Sequence, residues 1–165
     1  MKKLVLLVTI LITGLTVFSQ GIDFQKGRYA DVLEMAKKQN KLVFIDIYTS
    51  WCGPCKMMMK NIFPLKEVGN YLNSKFVCIK IDAEKGEGPE LAKRYQVKAY
   101  PTFVAINPAE EILMTKVGGS GSGSGFIGSI DRLIDPDKTP ERMKQRYESG
   151  ERTADLISAY AGLKM

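Results

Sequence analysis

The stretch Leu42-Val43-Phe44-Ile45-Asp46-Ile47-Tyr48-Thr49-Ser50-Trp51-Cys52-Gly53-Pro54-Cys55-Lys56-Met57-Met58-Met59-Lys60 decides how this chain folds. Leu42 to Tyr48 is an apolar run of strand length, and its composition predicts a buried strand. Pro54, followed by Cys55 to Lys60, predicts the first turns of a helix with proline near its start. Cys52 then sits at a helix N-terminus, where unpaired N–H groups and the helix dipole favour a thiolate. It is the expected nucleophile. Cys55 lies one helical turn further on and shares a face with Cys52, so it can attack a mixed disulfide formed there and release the partner.

Three plainer readings of two cysteines at this spacing compete with exchange chemistry. A structural staple gains little, since closing so short a loop is worth roughly 2 kcal/mol against about 3 for fifteen residues. A zinc half-site needs two more soft or imidazole ligands, and the chain has no histidine and one further cysteine, Cys78. Haem attachment needs histidine after the second cysteine, where Lys56 stands. Redox exchange is the expectation that remains.

With these residues in place the sequence resembles the thioredoxin superfamily, specifically its exported bacterial thiol:disulfide oxidoreductases. The pentapeptide Trp51-Cys52-Gly53-Pro54-Cys55 is that of thioredoxin itself. Asp46, six residues before Cys52, matches the family's buried carboxylate that manages proton transfer to the inner cysteine. Ala99-Tyr100-Pro101-Thr102-Phe103 matches the segment with the family's cis-proline, which faces the cysteines and docks extended substrate. The resemblance runs from Lys41 to about Val117 and implies an α/β thioredoxin fold, a central mixed sheet flanked by helices. It implies catalytic roles for Cys52, Cys55 and Asp46, an active-site loop of Trp51, Gly53 and Pro54, and substrate binding at Tyr100 and Pro101. No cofactor or metal is implied beyond a redox-active Cys52–Cys55 disulfide. Independently of the family, a carboxylate inside a buried strand should have a raised pKa, with an aspartate satisfied by backbone N–H groups at a strand end as the alternative. An X-Pro bond opening a strand is the common setting for a cis peptide, although a trans proline fits there too.

Two departures from thioredoxin carry consequences. An alignment of Val77-Cys78-Ile79-Lys80-Ile81-Asp82 puts Cys78 where thioredoxin has a lysine near the buried aspartate, which implies different proton handling. Cys78 itself reads as a buried, inert thiol. Tyr100 stands where thioredoxin carries an aliphatic residue and should reshape the groove.

Lys2 and Lys3 followed by the apolar segment Leu4 to Val17 predict a signal peptide spanning 1–19, cut between Ser19 and Gln20, with an uncleaved anchor as the alternative. No cysteine follows for lipid attachment. A thioredoxin-like domain over 20–135 and a helical extension over 136–165 follow. Export to a periplasmic or secreted location places a pair resembling the reducing members of the family in an oxidising compartment. Thioredoxin's potential of about −270 mV and the periplasmic oxidant's about −120 mV differ by roughly 7 kcal/mol for two electrons. The pair would stay oxidised unless continuously reduced, so the expected partners are disulfide-bearing proteins and a membrane thiol-reductase electron donor. A disulfide isomerase or oxidase, a non-catalytic binding module using the tail, and, more weakly, a peroxidase are the alternatives.

Lys and Arg number 24 against 18 Asp and Glu, a net charge of +6. Removing Lys2 and Lys3 leaves about +4, without a basic run interleaved with aromatics, so no nucleic-acid partner is expected. A monomer is expected. Helical spacing of Tyr29, Val32, Leu33 and Ala36 predicts a helix covering the sheet. Met57, Met58 and Met59 cannot share one helix face, so at least one should fill the core. Phe63-Pro64 should break that helix, with Lys66 to Asn73 continuing beyond it. Phe76 to Ile81 predicts a strand, Pro89 a helix start, and Asn107 to Glu110 a hairpin. Gly118 to Gly125, all glycine and serine, predicts a flexible loop before an amphipathic helix from Phe126. Two short helices then read as a docking appendage, the first turns of a repeat, or an extension packed on the domain's side.

Overall fold

The computed structural model describes residues 21–135, 137 and 140–163. The expected signal segment lies outside the described residues. Elements follow in the order β1 (Phe24–Gln25), α1 (Tyr29–Gln39), β2 (Leu42–Tyr48), α2 (Gly53–Met57) and a π-helical turn (Met58–Ile62). Then come α3 (Lys66–Lys75), β3 (Phe76–Asp82), α4 (Gly88–Arg94), β4 (Thr102–Ile106), β5 (Ile112–Val117), α5 (Gly123–Ile134), α6 (Pro140–Glu148) and α7 (Ala154–Leu163). Among the described residues no helix is long and apolar enough to cross a membrane.

The five strands form one mixed sheet in the order β1-β3-β2-β4-β5. β1, β3 and β2 are parallel, while β4 runs antiparallel to both β2 and β5. β2 is central, which explains its almost unbroken apolar sequence: both faces are covered. Alternation sorts its side chains. Val43, Ile45 and Ile47 join Val32, Ala36, Val77, Ile79, Leu91 and Val104 in the core under α1 and α4. Phe44 joins Leu72, Cys78, Phe103, Phe126 and Ile130 in the core under α3 and α5. There Phe44 stacks on Phe103 at 5.7 Å and Phe126 meets Phe103 edge-on at 5.1 Å. Asp46 shares the parity of Phe44, so β2 carries one carboxylate into this aromatic side of the sheet.

The helix after the cysteines is interrupted in a way the sequence reading did not anticipate. Phe63 N–H donates to the Met58 carbonyl at 2.9 Å, a five-residue span that marks the π-helical turn. Met58 is buried in the aromatic-side core, whereas Met57 and Met59 only pack at its edge, as three consecutive methionines must divide. Pro64 then ends the helix, and α3 starts at Lys66. Gly88, opening α4, is required by close approach: a Cβ there would lie 1.8 Å from the Asp82 carbonyl oxygen.

The Gly-Ser stretch is a correction to the expected flexible loop. α5 begins at Gly123, inside the stretch, because Ser122 caps it: Gly125 N–H donates to Ser122 Oγ at 3.1 Å. Ser120 N–H donates to Met58 Sδ at 3.2 Å, which ties the segment to the π-helical turn. At the tail, Leu156 N–H donates to Thr153 Oγ1 at 3.3 Å, just ahead of α7. α6 and α7 pack against each other, and Met143 and Leu156 are buried.

Candidate functional site

β2 ends at Tyr48, and Thr49 to Trp51 turn the chain directly into α2, so the end of a rigid central strand fixes the position of both cysteines. Cys52 and Cys55 are disulfide-bonded, with Cα atoms 5.3 Å apart. Cys52 is the N-cap of α2, and its Sγ accepts a hydrogen bond from Cys55 N–H at 3.1 Å. A negative charge developing on Cys52 on reduction would receive the same donor, aided by the helix N-terminus. Both cysteines are buried as residues, at 3% exposure for Cys52 and 2% for Cys55.

Asp46 is the buried carboxylate anticipated from the sequence, at 1% exposure. Its Oδ1 has no hydrogen-bond partner among the described residues, so backbone satisfaction at a strand end does not account for it. Burial pushes its pKa up from 3.8 to about 7, and the charge of Lys80 holds it from rising further. Lys80 is the residue opposite Asp46 in the β2–β3 register, and burial lowers its own pKa. This corrects the alignment that put Cys78 beside the aspartate. Cys78 lies opposite Phe44, two residues earlier, as a free thiol in the aromatic-side core. Burial pushes the Cys78 thiol up, as its reading as an inert residue requires. Lys80 Nζ contacts Met59 Sδ at 2.6 Å, lies over the rings of Tyr48 and Phe24, and lines a surface cavity of about 360 Å³ with Met59 and Phe63.

The Tyr100–Pro101 peptide is cis, and Pro101 opens β4 beside the end of β2, with Thr102 opposite Ile47. Thr102 Oγ1 donates to the Ala99 carbonyl at 2.7 Å, and Gly118 N–H donates to the Pro101 carbonyl at 2.9 Å. Tyr100 meets Trp51 edge-on, with ring centroids 5.9 Å apart. Trp51 is 63% exposed, and its Nε1–H donates to Glu84 Oε1 at 2.9 Å. Gly53 and Pro54 are exposed in the first turn of α2.

The structure therefore brings Trp51, Tyr100 and Pro101 to the disulfide-bearing end of the sheet, with Asp46 buried beneath it in β2. Three contributors escaped the sequence reading: Lys80, Glu84 and Gly118, whose N–H holds the Pro101 carbonyl. Gly118 follows Val117, which lies opposite Thr102, and could have been found by pairing β5 against β4 from the hairpin outward. Glu84 carries no local signal, because its link to Trp51 spans 33 residues.

The model of the Thioredox_DsbH family, described as "Protein of unknown function, DUF255", matches residues 19–107, more than half of the chain. A thioredoxin-like protein, slr0233, of Synechocystis sp. is 34% identical over 87 residues, which cover 53% of this chain and 78% of that one. Thioredoxin Y of the rice chloroplast (Oryza sativa subsp. japonica) is 37% identical over 83 residues, and the match spans 50% of this chain but only 46% of that relative's length. Among solved structures, a "putative disulphide-isomerase" from Bacteroides thetaiotaomicron superposes with a TM-score of 0.64 at 38% identity, covering 71% of this chain and 96% of that one. A thioredoxin from Thermus thermophilus shares the fold, with a TM-score of 0.59 at 23% identity over 68% of this chain and 88% of its own. With a family match over most of the domain, a five-stranded mixed sheet of the same fold and a disulfide closed at the start of α2, the chain belongs to the Thioredox_DsbH (DUF255) family of the thioredoxin superfamily.

Proposed function

We propose that this protein is an exported thiol:disulfide oxidoreductase that reduces disulfides in other proteins. The observation that carries this reading is the Cys52–Cys55 disulfide at the N-terminus of α2, with Asp46 in the adjoining strand as a buried carboxylate whose Oδ1 has no hydrogen-bond partner among the described residues and whose pKa is lifted to about 7. In the reduced enzyme the Cys52 thiolate attacks one sulfur of a substrate disulfide; a Cys52–substrate bond forms and the other substrate sulfur leaves as a thiolate. Asp46 accepts the Cys55 proton. The Cys55 sulfur then attacks Cys52, closing the enzyme disulfide and releasing the second substrate sulfur. Two electrons pass from the enzyme dithiol to the substrate. A pKa near 7 suits Asp46 to take that proton and return it near neutral pH. Trp51, Gly53 and Pro54 form the loop that presents Cys52, and Tyr100 and Pro101 bind the substrate segment.

Residues 1–19 act as the signal peptide, 20–135 as the catalytic domain and 136–165 as a helical extension. In an oxidising compartment the closed disulfide must be reopened by a dithiol donor, and a membrane thiol reductase fills that need. The protein works as a monomer on protein substrates. Isomerase activity is the second reading, favoured by the likeness to the 38%-identical putative disulphide-isomerase of Bacteroides thetaiotaomicron.

Equilibration of the Cys52/Cys55 pair with glutathione or dithiothreitol, followed through Trp51 fluorescence, separates the two. A potential near −270 mV supports the reductase, and one at −180 mV or above overturns it in favour of isomerase or oxidase. A Cys55→Ser variant should accumulate mixed disulfides through Cys52. Failure to trap any substrate would favour a binding module instead.

A further inference from the structure

The hydrogen bond between Trp51 and Glu84 enters none of the bond-making steps of exchange, yet the turn that carries Glu84 is firmly fixed. The turn after β3 is held by three hydrogen bonds: Ala83 N–H to the Tyr48 carbonyl at 2.8 Å, Lys85 N–H to the Asp82 carbonyl at 3.0 Å, and Glu84 N–H to Asp82 Oδ1 at 3.1 Å. Lys85 Nζ pairs with Asp82 Oδ2 at 3.2 Å, so the nearest cation on the turn is already engaged. Glu84 is left to accept the Trp51 indole N–H, and Tyr100 braces the same indole edge-on. An exposed hydrogen bond of this kind adds little to stability. Its effect is to fix a large aromatic face toward solvent, in the residue before Cys52.

We propose that Trp51 and Glu84 form a subsite for a cationic side chain, arginine or lysine, flanking the cystine of a disulfide-bearing protein substrate. This inference rests on the oxidoreductase reading given above and adds to it the charge of the preferred substrate. An indole face attracts a guanidinium or ammonium group through its quadrupole. Donation of the indole N–H to a carboxylate raises the electron density of the ring, which strengthens that attraction. The Glu84 carboxylate adds an acceptor beside the ring, so one cation meets a π face and an anion together. The chain as a whole is basic, at +6 over its 165 residues, and Lys56 is exposed on α2. The subsite is thus a local reversal of charge beside the reacting sulfurs, and a general attraction of the protein for acidic partners does not produce it.

The test uses three peptides that share one disulfide and differ only in the residue beside the cystine: Arg, Gln or Glu. Their reduction by the wild-type protein and by Glu84→Gln is followed with dithiothreitol as electron source, at low and at high salt. In the wild type at low salt, kcat/KM for the Arg peptide should exceed that for the Glu peptide by about fivefold to tenfold, the combined worth of an exposed cation–π contact and an exposed ion pair. Glu84→Gln should bring that ratio to about twofold or less, and high salt should narrow the wild-type ratio in the same direction. Because the readout is a ratio between peptides, a general change in rate does not enter it, and the potential of the Cys52/Cys55 pair in the variant reports any displacement of the site itself. A wild-type ratio near one, a preference for the Glu peptide, or a ratio untouched by Glu84→Gln overturns the subsite while leaving the oxidoreductase reading intact. Failure of the fully reduced wild type to reduce any of the three peptides overturns the oxidoreductase reading, and the subsite with it.

Discussion

Replacing Asp46 with Asn keeps the size of a fully buried side chain and removes its charge. Burial lifts the carboxyl from 3.8 to about 7 in the folded protein, while in the unfolded chain it returns to its ordinary value. Between those limits the folded protein holds a proton that the unfolded chain has lost. The sign follows: this residue leaves stability intact below pH 3.8, and stability is lost as pH rises until the folded group also ionises near 7. Each pH unit in that window costs about 1.4 kcal/mol, so the penalty reaches about 4 kcal/mol above neutrality. Asn carries no such penalty. Asp46→Asn should therefore be more stable than the wild type, with the advantage about 3 kcal/mol larger at pH 8 than at pH 5. Urea unfolding of both disulfide-bonded proteins across that range measures the gap directly, since every other titrating group is common to the two. A gap that stays constant within about 1 kcal/mol from pH 5 to pH 8 would refute the reasoning, because it would mean that the carboxylate pays no desolvation cost. The stabilised variant should also reduce substrate at least about a hundredfold more slowly near neutral pH, the usual worth of a positioned general base.

Lys80→Met removes the cation that opposes the rise of the Asp46 pKa, so the pH-rate profile for disulfide reduction should move alkaline by about one pH unit; an unchanged profile would show that Lys80 does not act on Asp46. Gly88→Ala drives a Cβ into the Asp82 carbonyl, which is backbone and cannot yield, and should cost about 3 kcal/mol in chemical denaturation. A loss below about 0.5 kcal/mol would mean that α4 is free to shift off the end of β3. Phe126→Ala opens the junction of Phe44, Phe63 and Phe103 and should cost about 4 kcal/mol by the same assay.

The parts of the site that the sequence made legible are those encoded by short spacing. Trp51 to Cys55 sit in one turn, Asp46 lies on the strand that leads into it, and Pro101 opens the next strand of the sheet. What stayed hidden depends on how distant strands and helices meet. Cys78 and Lys80 differ by two residues and so face the same side of β3; only the β2–β3 register decides which one stands opposite Asp46. An alignment of Val77 to Asp82 by sequence alone cannot see that register. The π-helical turn was hidden as well: three methionines and a proline announce crowding, yet nothing local signals that Phe63 N–H reaches back five residues to the Met58 carbonyl. The Gly-Ser stretch misled in the other direction. Its composition carries no core-forming side chain, but Ser122 in capping position and the apolar face that begins at Phe126 are enough to start the helix at Gly123.

Cys78 has a consequence for how the protein must be made. An unfolded chain offers three thiols, hence three possible pairings, and the short separation favours Cys52 with Cys55 without closing off the two pairings to Cys78. The completed sheet settles the choice by putting Cys78 behind Phe44 and Phe76, where neither partner nor reagent reaches it. A chain in which Cys78 pairs with an active-site sulfur before the sheet forms would hold β3 out of place, whereas one whose sheet is complete has a single pair left to close.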